Sequence, residues 1–135
     1  MSKNPKSDAR EFAVQFLYQC ESEKIFHFSD SHFQGFVGHQ DVHPELISLL
    51  RELSRGTLDR TSELDEKIQA ASANWKLSRM SLIDRSVLRL ATFELLHTDT
   101  PRKVILNEAI ELAKKFGSGD SGRFVNGILD KIADL

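Results

Sequence analysis

Arg10, Val14 and Tyr18 follow one another at four-residue steps near the start of the chain. On a helix, that spacing sets a cation and an aromatic ring two turns apart along the edge of an apolar face, which suits phosphate contact and base stacking. The same two residues also read as a solvated charge and a core-edge ring. A second cluster lies at Asp120 to Asn126, where a turn, a helix start, Arg123 and Phe124 stand together. The backbone N–H groups at a helix N-terminus are ready donors to phosphate. The plain alternative is a core phenylalanine beside a surface charge. Four of the five histidines, His27, His32, His39 and His43, gather in one stretch, and imidazole is the commonest transition-metal ligand. Their spacings match no zinc pattern, so they are read as part of a polar loop. The chain carries no Walker-type phosphate loop, no Gly-x-Ser-x-Gly elbow and no paired-cysteine framework. Neither catalysis, nor a cofactor, nor a metal is expected.

The elements that must position these residues are helical. From Ser7 to Glu23, Ala9, Phe12, Ala13, Phe16, Leu17 and Cys20 recur with the period of one buried helical face. The stretch Lys24 to Pro44 loses that period and collects Gly35, Gly38 and Pro44, so it reads as an irregular connection or a short, poorly defined helix. Helical spacing resumes through Leu46, Leu49, Leu50 and Leu53 and can continue to Ile68, with Gly56 able to kink or split it. Ser81 and Asp84 form a capping-box-like start to a helix running to about His97, apolar on most sides and therefore central, with Asp84, Arg85, Arg89 and Thr92 on its polar arc. After Pro101 comes an amphipathic helix ending at Gly117, with Glu111 and Lys115 able to pair on its wet face. A last helix carries Phe124, Val125, Ile128, Leu129 and Ile132, capped by Asp120 or Ser121. No segment alternates with period two. The reading is an all-α bundle of six or seven helices in one domain, residues 1–135, without repeats.

Composition narrows the class. At 135 residues the chain can bury a core without disulfides or metals, and no apolar run approaches bilayer length. The polar N-terminus has no signal-peptide core, so a cytoplasmic location is expected. The lone cysteine, Cys20, sits among apolar neighbours as a small core residue. A net charge of −2 argues against coating nucleic acid by bulk charge, so any RNA contact must be local. The opening segment supplies local charge, since Lys3, Lys6 and Arg10 outnumber Asp8.

Three blocks resemble the NusB family of transcription antitermination factors: AREFAVQFLY from Ala9 to Tyr18, IDRSVLRLATFEL from Ile83 to Leu95, and Lys103 to Lys131 with KVILNEAIELAKKFG, a turn holding Asp120 and Ser121, and RFVNGILDK. The resemblance implies an all-helical fold of two small helical subdomains. It also implies binding of boxA-type RNA together with NusE, a ribosomal small-subunit protein, in the service of an RNA polymerase antitermination complex that transcribes ribosomal RNA operons. It maps the RNA surface onto Lys6, Arg10, Tyr18, Arg89, Asp120, Arg123 and Phe124. Many relatives carry consecutive arginines before the Ala-Arg-Glu, whereas this chain reads Lys6-Ser7-Asp8, so weaker phosphate grip and greater dependence on the partner are expected. A different class remains open: a stand-alone or fragmentary RNA-binding module of an rRNA methyltransferase, a reading in which the catalytic half is missing after Leu135. A homodimer is also possible. Finally, Glu94 projects between the directions of Leu90 and Ala91, so it is expected to be partly buried and paired with a helix N-terminus or an arginine such as Arg10.

Overall fold

The computed structural model describes residues 4–134; Lys3 and Leu135 lie outside the described residues. Seven α-helices follow one another, and no strand occurs among the described residues. Helix α1 spans Pro5–Ser22, with proline at its start and the Asn4 side chain accepting from the N–H groups of Lys6 and Ser7 at 3.0 and 3.2 Å. Its apolar stripe, including Ala9, Ala13, Phe16 and Cys20, is buried.

The stretch read as an irregular connection or a short, poorly defined helix contains a regular ten-residue helix, α2 (Asp30–His39), capped by Ser29. Its glycines face outward, while Phe33, Phe36 and Val37 are buried. Phe16 of α1 meets Phe33 and Phe36 edge-on at 5.6 and 5.1 Å. A ten-residue helix with two glycines is too weak to form alone, and this aromatic packing stabilises it. His43 accepts from Glu45 N at 3.2 Å and caps α3 (Pro44–Asp59), while His32 lies against the Phe16 ring and Cys20.

Helix α3 runs through Gly56 without a break, and the division falls at Arg60, before α4 (Thr61–Ala71). Gly56 is there for space: a Cβ on it would stand 2.1 Å from Phe93 Cζ. An exposed helical Gly→Ala change stabilises by about 1 kcal/mol. Gly56→Ala should instead destabilise, by about 1–3 kcal/mol, because the Phe93 ring must move in a packed core. A urea midpoint at or above wild type would refute this contact.

A 3-10 turn, Leu77–Arg79, leads to α5 (Leu82–His97), where Ser81 Oγ accepts from Asp84 N at 3.1 Å as its sequence predicts. Helices α6 (Arg102–Phe116) and α7 (Ser121–Ala133) complete the chain. Helix α1 packs on α3, while α5 and α7 pack on each other and each on both α4 and α6. Helix α5 is central, touching α1, α3, α4, α6 and α7, and one apolar cluster runs through both groups. Two local expectations are corrected. Lys115 pairs with Glu11 of α1 and Glu111 with Lys114, because α1 lies within reach of the long Lys115 side chain. No side chain caps α7, since Ser121 Oγ turns back to accept from Ser118 N at 3.0 Å.

Candidate nucleic-acid interface

The sequence pattern brings seven residues forward, and the fold divides them by burial. Arg10 is 4% exposed and Glu94 2%. Arg10 Nε and Nη2 each donate to a Glu94 oxygen at 2.9 Å, and Nη1 reaches Glu108 Oε1 at 3.4 Å. Ser7 Oγ donates to the same Glu108 oxygen. The hydrogen bonds that Arg10 donates to Glu94 hold its pKa above the ordinary value against the opposing effect of burial. The expected pairing of Glu94 with Arg10 is therefore present, and the carboxylate is buried rather than partly so. It follows that Arg10 is no surface cation: its fork binds α1 to α5 and α6.

Arg89 is likewise drawn inward. At 9% exposure it donates from Nε and Nη2 to the two Asp65 oxygens at 2.7 and 3.0 Å, and from Nη1 to Glu21 at 2.6 Å. Arg85 holds the other Glu21 oxygen at 2.8 Å. Burial disfavours the charged form of Arg89, but the hydrogen bonds and charges of Asp65 and Glu21 outweigh it, leaving the pKa raised. The polar arc expected around Arg89 and Thr92 is in fact an interior seam, because α1 and α4 pack over that side of α5. Burial also pushes the Cys20 thiol up to about 12, as befits a core residue.

The other five residues stand at the surface or its edge. Lys6 is exposed in the first turn of α1, and its side chain makes no ion pair. Tyr18, 40% exposed, opens onto a recess with Gln15, Ile83 and Phe116. Phe116 is the last residue of α6, so this recess adjoins the turn to α7. Asp120 and Arg123 are exposed at the start of α7, and Phe124 is half-buried. Helix α7 thus offers first-turn N–H groups that no side chain caps, next to a cation and a ring.

Sequence reasoning missed Trp75. It is 58% exposed, and its ring meets Phe124 at 5.9 Å with an interplanar angle of 87°. The available signal was a tryptophan between Asn74 and Lys76 in a connection that has no apolar periodicity to bury it. Among the described residues, no group of three or more His, Cys, Asp or Glu side chains is placed to hold a metal, and no helix is long and apolar enough to cross a membrane.

The family model described as the NusB family matches residues 7–134. A transcription antitermination protein NusB of Anaeromyxobacter dehalogenans is 48% identical over 130 residues, which cover 95% of this chain and 89% of that protein. The protein of the same name from Bdellovibrio bacteriovorus is 40% identical over 136 residues, covering 98% and 97%. Among solved structures, T. maritima NusB superposes with a TM-score of 0.84 at 36% identity, covering 98% of this chain and 93% of that one. A crystal structure of antitermination factors NusB and NusE in complex with dsRNA gives a TM-score of 0.85 at 21% identity, covering 98% of each chain, and shares the fold.

Proposed function

This chain belongs to the NusB family and acts in transcription antitermination; we propose that it does so by binding boxA-type single-stranded RNA together with NusE, in support of RNA polymerase on ribosomal RNA operons. The observation that carries this reading is the start of α7, where a helix N-terminus that no side chain caps adjoins the exposed, unpaired Arg123 and the half-buried Phe124 ring. Backbone N–H groups and Arg123 suit phosphate, and Phe124 suits an unpaired base. Tyr18 extends the surface from the far side of Phe116. Lys6 and Asp120 belong to its margin, the first as a phosphate contact and the second as an acceptor for base or ribose donors.

Arg10 and Arg89 act behind this surface. Their guanidinium groups are saturated by carboxylates, so they set the relative positions of α1, α4, α5 and α6. With a net charge of −2, the chain alone should hold RNA weakly. NusE is the natural supplement, since a structural neighbour is a complex with that partner and RNA. Stacking on Tyr18 or Phe124 needs unpaired bases, which favours a single strand over the duplex of that neighbour. The site is non-catalytic, the whole chain works as one RNA-binding domain, and its place is the cytoplasm, where nascent RNA is made. The methyltransferase reading is not favoured, because the relative matched over 89% of its own length is named an antitermination protein.

The test is a titration of boxA-type RNA with the free chain and with its NusE complex. Phe124→Ala should weaken binding by about five- to a hundred-fold, the range for losing one base stack. Arg123→Ala should lower affinity and flatten the salt dependence. Unaltered affinity in both variants would refute the surface, and equal affinity with and without NusE would refute the partnership.

A further inference from the structure

The chain has nine arginines, and the fold accounts for seven of them. Arg10, Arg51, Arg55, Arg85, Arg89 and Arg102 make ion pairs, while Arg60 donates to Gly56 O and lies over the Phe93 ring. Only Arg79 and Arg123 make no side-chain hydrogen bond, ion pair or ring contact among the described residues, and both are exposed. These two flank the Trp75–Phe124 ring pair in sequence: Arg123 precedes Phe124, and Arg79 ends the short segment that Trp75 opens. Lys76, beside Trp75, is also exposed and unpaired.

An indole 58% exposed is ordinarily held loosely or covered, and Trp75 is neither. Its carbonyl accepts from Gln69 Nε2 at 2.8 Å and its N–H donates to Ser72 O at 2.9 Å. Gln69 Oε1 accepts from Leu77 N at 2.9 Å, and Arg85 Nη1 donates to the carbonyls of Leu77 and Ser78 at 3.1 Å. The backbone on both sides of the ring is pinned to α4 and α5. A near-perpendicular contact with Phe124 fixes the ring while leaving much of its π surface open. A held, open aromatic ring with free cations beside it in sequence has the make-up of a stacking platform for single-stranded nucleic acid.

We propose that Trp75 is a second base-stacking residue of the RNA surface, with Lys76 and Arg79 contacting the flanking phosphates. The RNA track then runs from the start of α7 across Phe124 onto the α4–α5 connection. This rests on the RNA-binding reading above and extends it to the α4–α5 connection. The cations decide for RNA over a protein partner, since an apolar protein contact would have no use for three exposed, unpaired positive charges next to the two rings in sequence.

Trp75 is the only tryptophan in the chain, so its fluorescence reports this site alone. The experiment pairs two readouts on the NusE complex: anisotropy of a labelled boxA-type oligoribonucleotide, and tryptophan emission as the difference between wild type and Trp75→Phe. RNA should quench the Trp75 emission, and inorganic polyphosphate should not. Trp75→Ala should weaken binding by about five- to a hundred-fold, with Trp75→Phe close to wild type. Arg79→Ala should weaken binding and lower its salt dependence. RNA binding with no change in Trp75 emission and full affinity in Trp75→Ala would overturn the proposal while leaving the RNA-binding function intact. Emission that responds only to NusE, with RNA affinity untouched, would assign the ring to the protein partner and overturn it equally. Absence of any anisotropy change would overturn both readings together.

Discussion

Glu94→Leu is expected to destabilise the chain by about 3–5 kcal/mol, the range for removing one partner of a buried ion pair. The substitution strips Arg10 of both 2.9 Å hydrogen bonds and leaves a guanidinium 4% exposed, with only the longer Glu108 contact. Leucine restores apolar volume but cannot accept a hydrogen bond, so the desolvation of Arg10 goes uncompensated. Glu94→Gln should lose less, because its amide oxygen still accepts one of the two bonds. The double change Arg10→Met with Glu94→Leu should recover much of the loss, since an apolar pair of similar volume often replaces a buried ion pair at no net cost. Urea midpoints of the four proteins decide the matter. An unchanged or raised midpoint for Glu94→Leu would show that the fork carries no stability.

Arg89→Ala should cost about 3 kcal/mol, at the low end for a buried pair because Asp65 keeps partial solvent access and Arg85 still holds Glu21. Three helices lose their common tie, and the rim of the α4–α5 connection is next to it. Arg89→Lys should rescue little, since an ammonium cannot bridge both Asp65 oxygens and reach Glu21. The informative comparison is with the surface. At a temperature where it is fully folded, Arg89→Ala should bind RNA nearly as wild type does, whereas Arg123→Ala should not. A loss of affinity in folded Arg89→Ala as large as in Arg123→Ala would place Arg89 among the RNA contacts after all.

The contrast between these arginines shows what was legible in the sequence. Apolar periodicity revealed α1, α5, α6 and α7, because each buries a continuous stripe and helical spacing records it directly. The Ser81 cap was readable because its partner is three residues away. Helix α2 was hidden, since its stability comes from Phe16, which lies outside it in sequence. Gly56 was misread because its meaning lies in Phe93, on another helix. The same limit governs the site. Spacing put Arg10 at the edge of an apolar face and Arg89 on a polar arc, and both assignments describe an isolated helix correctly. What turns these side chains inward are carboxylates 84 residues away for Arg10, and 68 and 24 residues away for Arg89. The pairing of Glu94, though not the depth of its burial, was readable because its neighbours on one helix already made it an anomaly needing a partner. Trp75 left no periodic trace, and only the packed structure shows that it is both exposed and held.

The most direct test of the central claim is terminator read-through in a reconstituted transcription reaction, with RNA polymerase and the remaining antitermination factors present throughout. The chain and NusE together should raise read-through on a template whose leader carries boxA, with little effect when boxA is scrambled or NusE is left out, and the gain should shrink with Phe124→Ala. Read-through that is equal on intact and scrambled leaders, or unaffected by omitting the chain, would contradict the account.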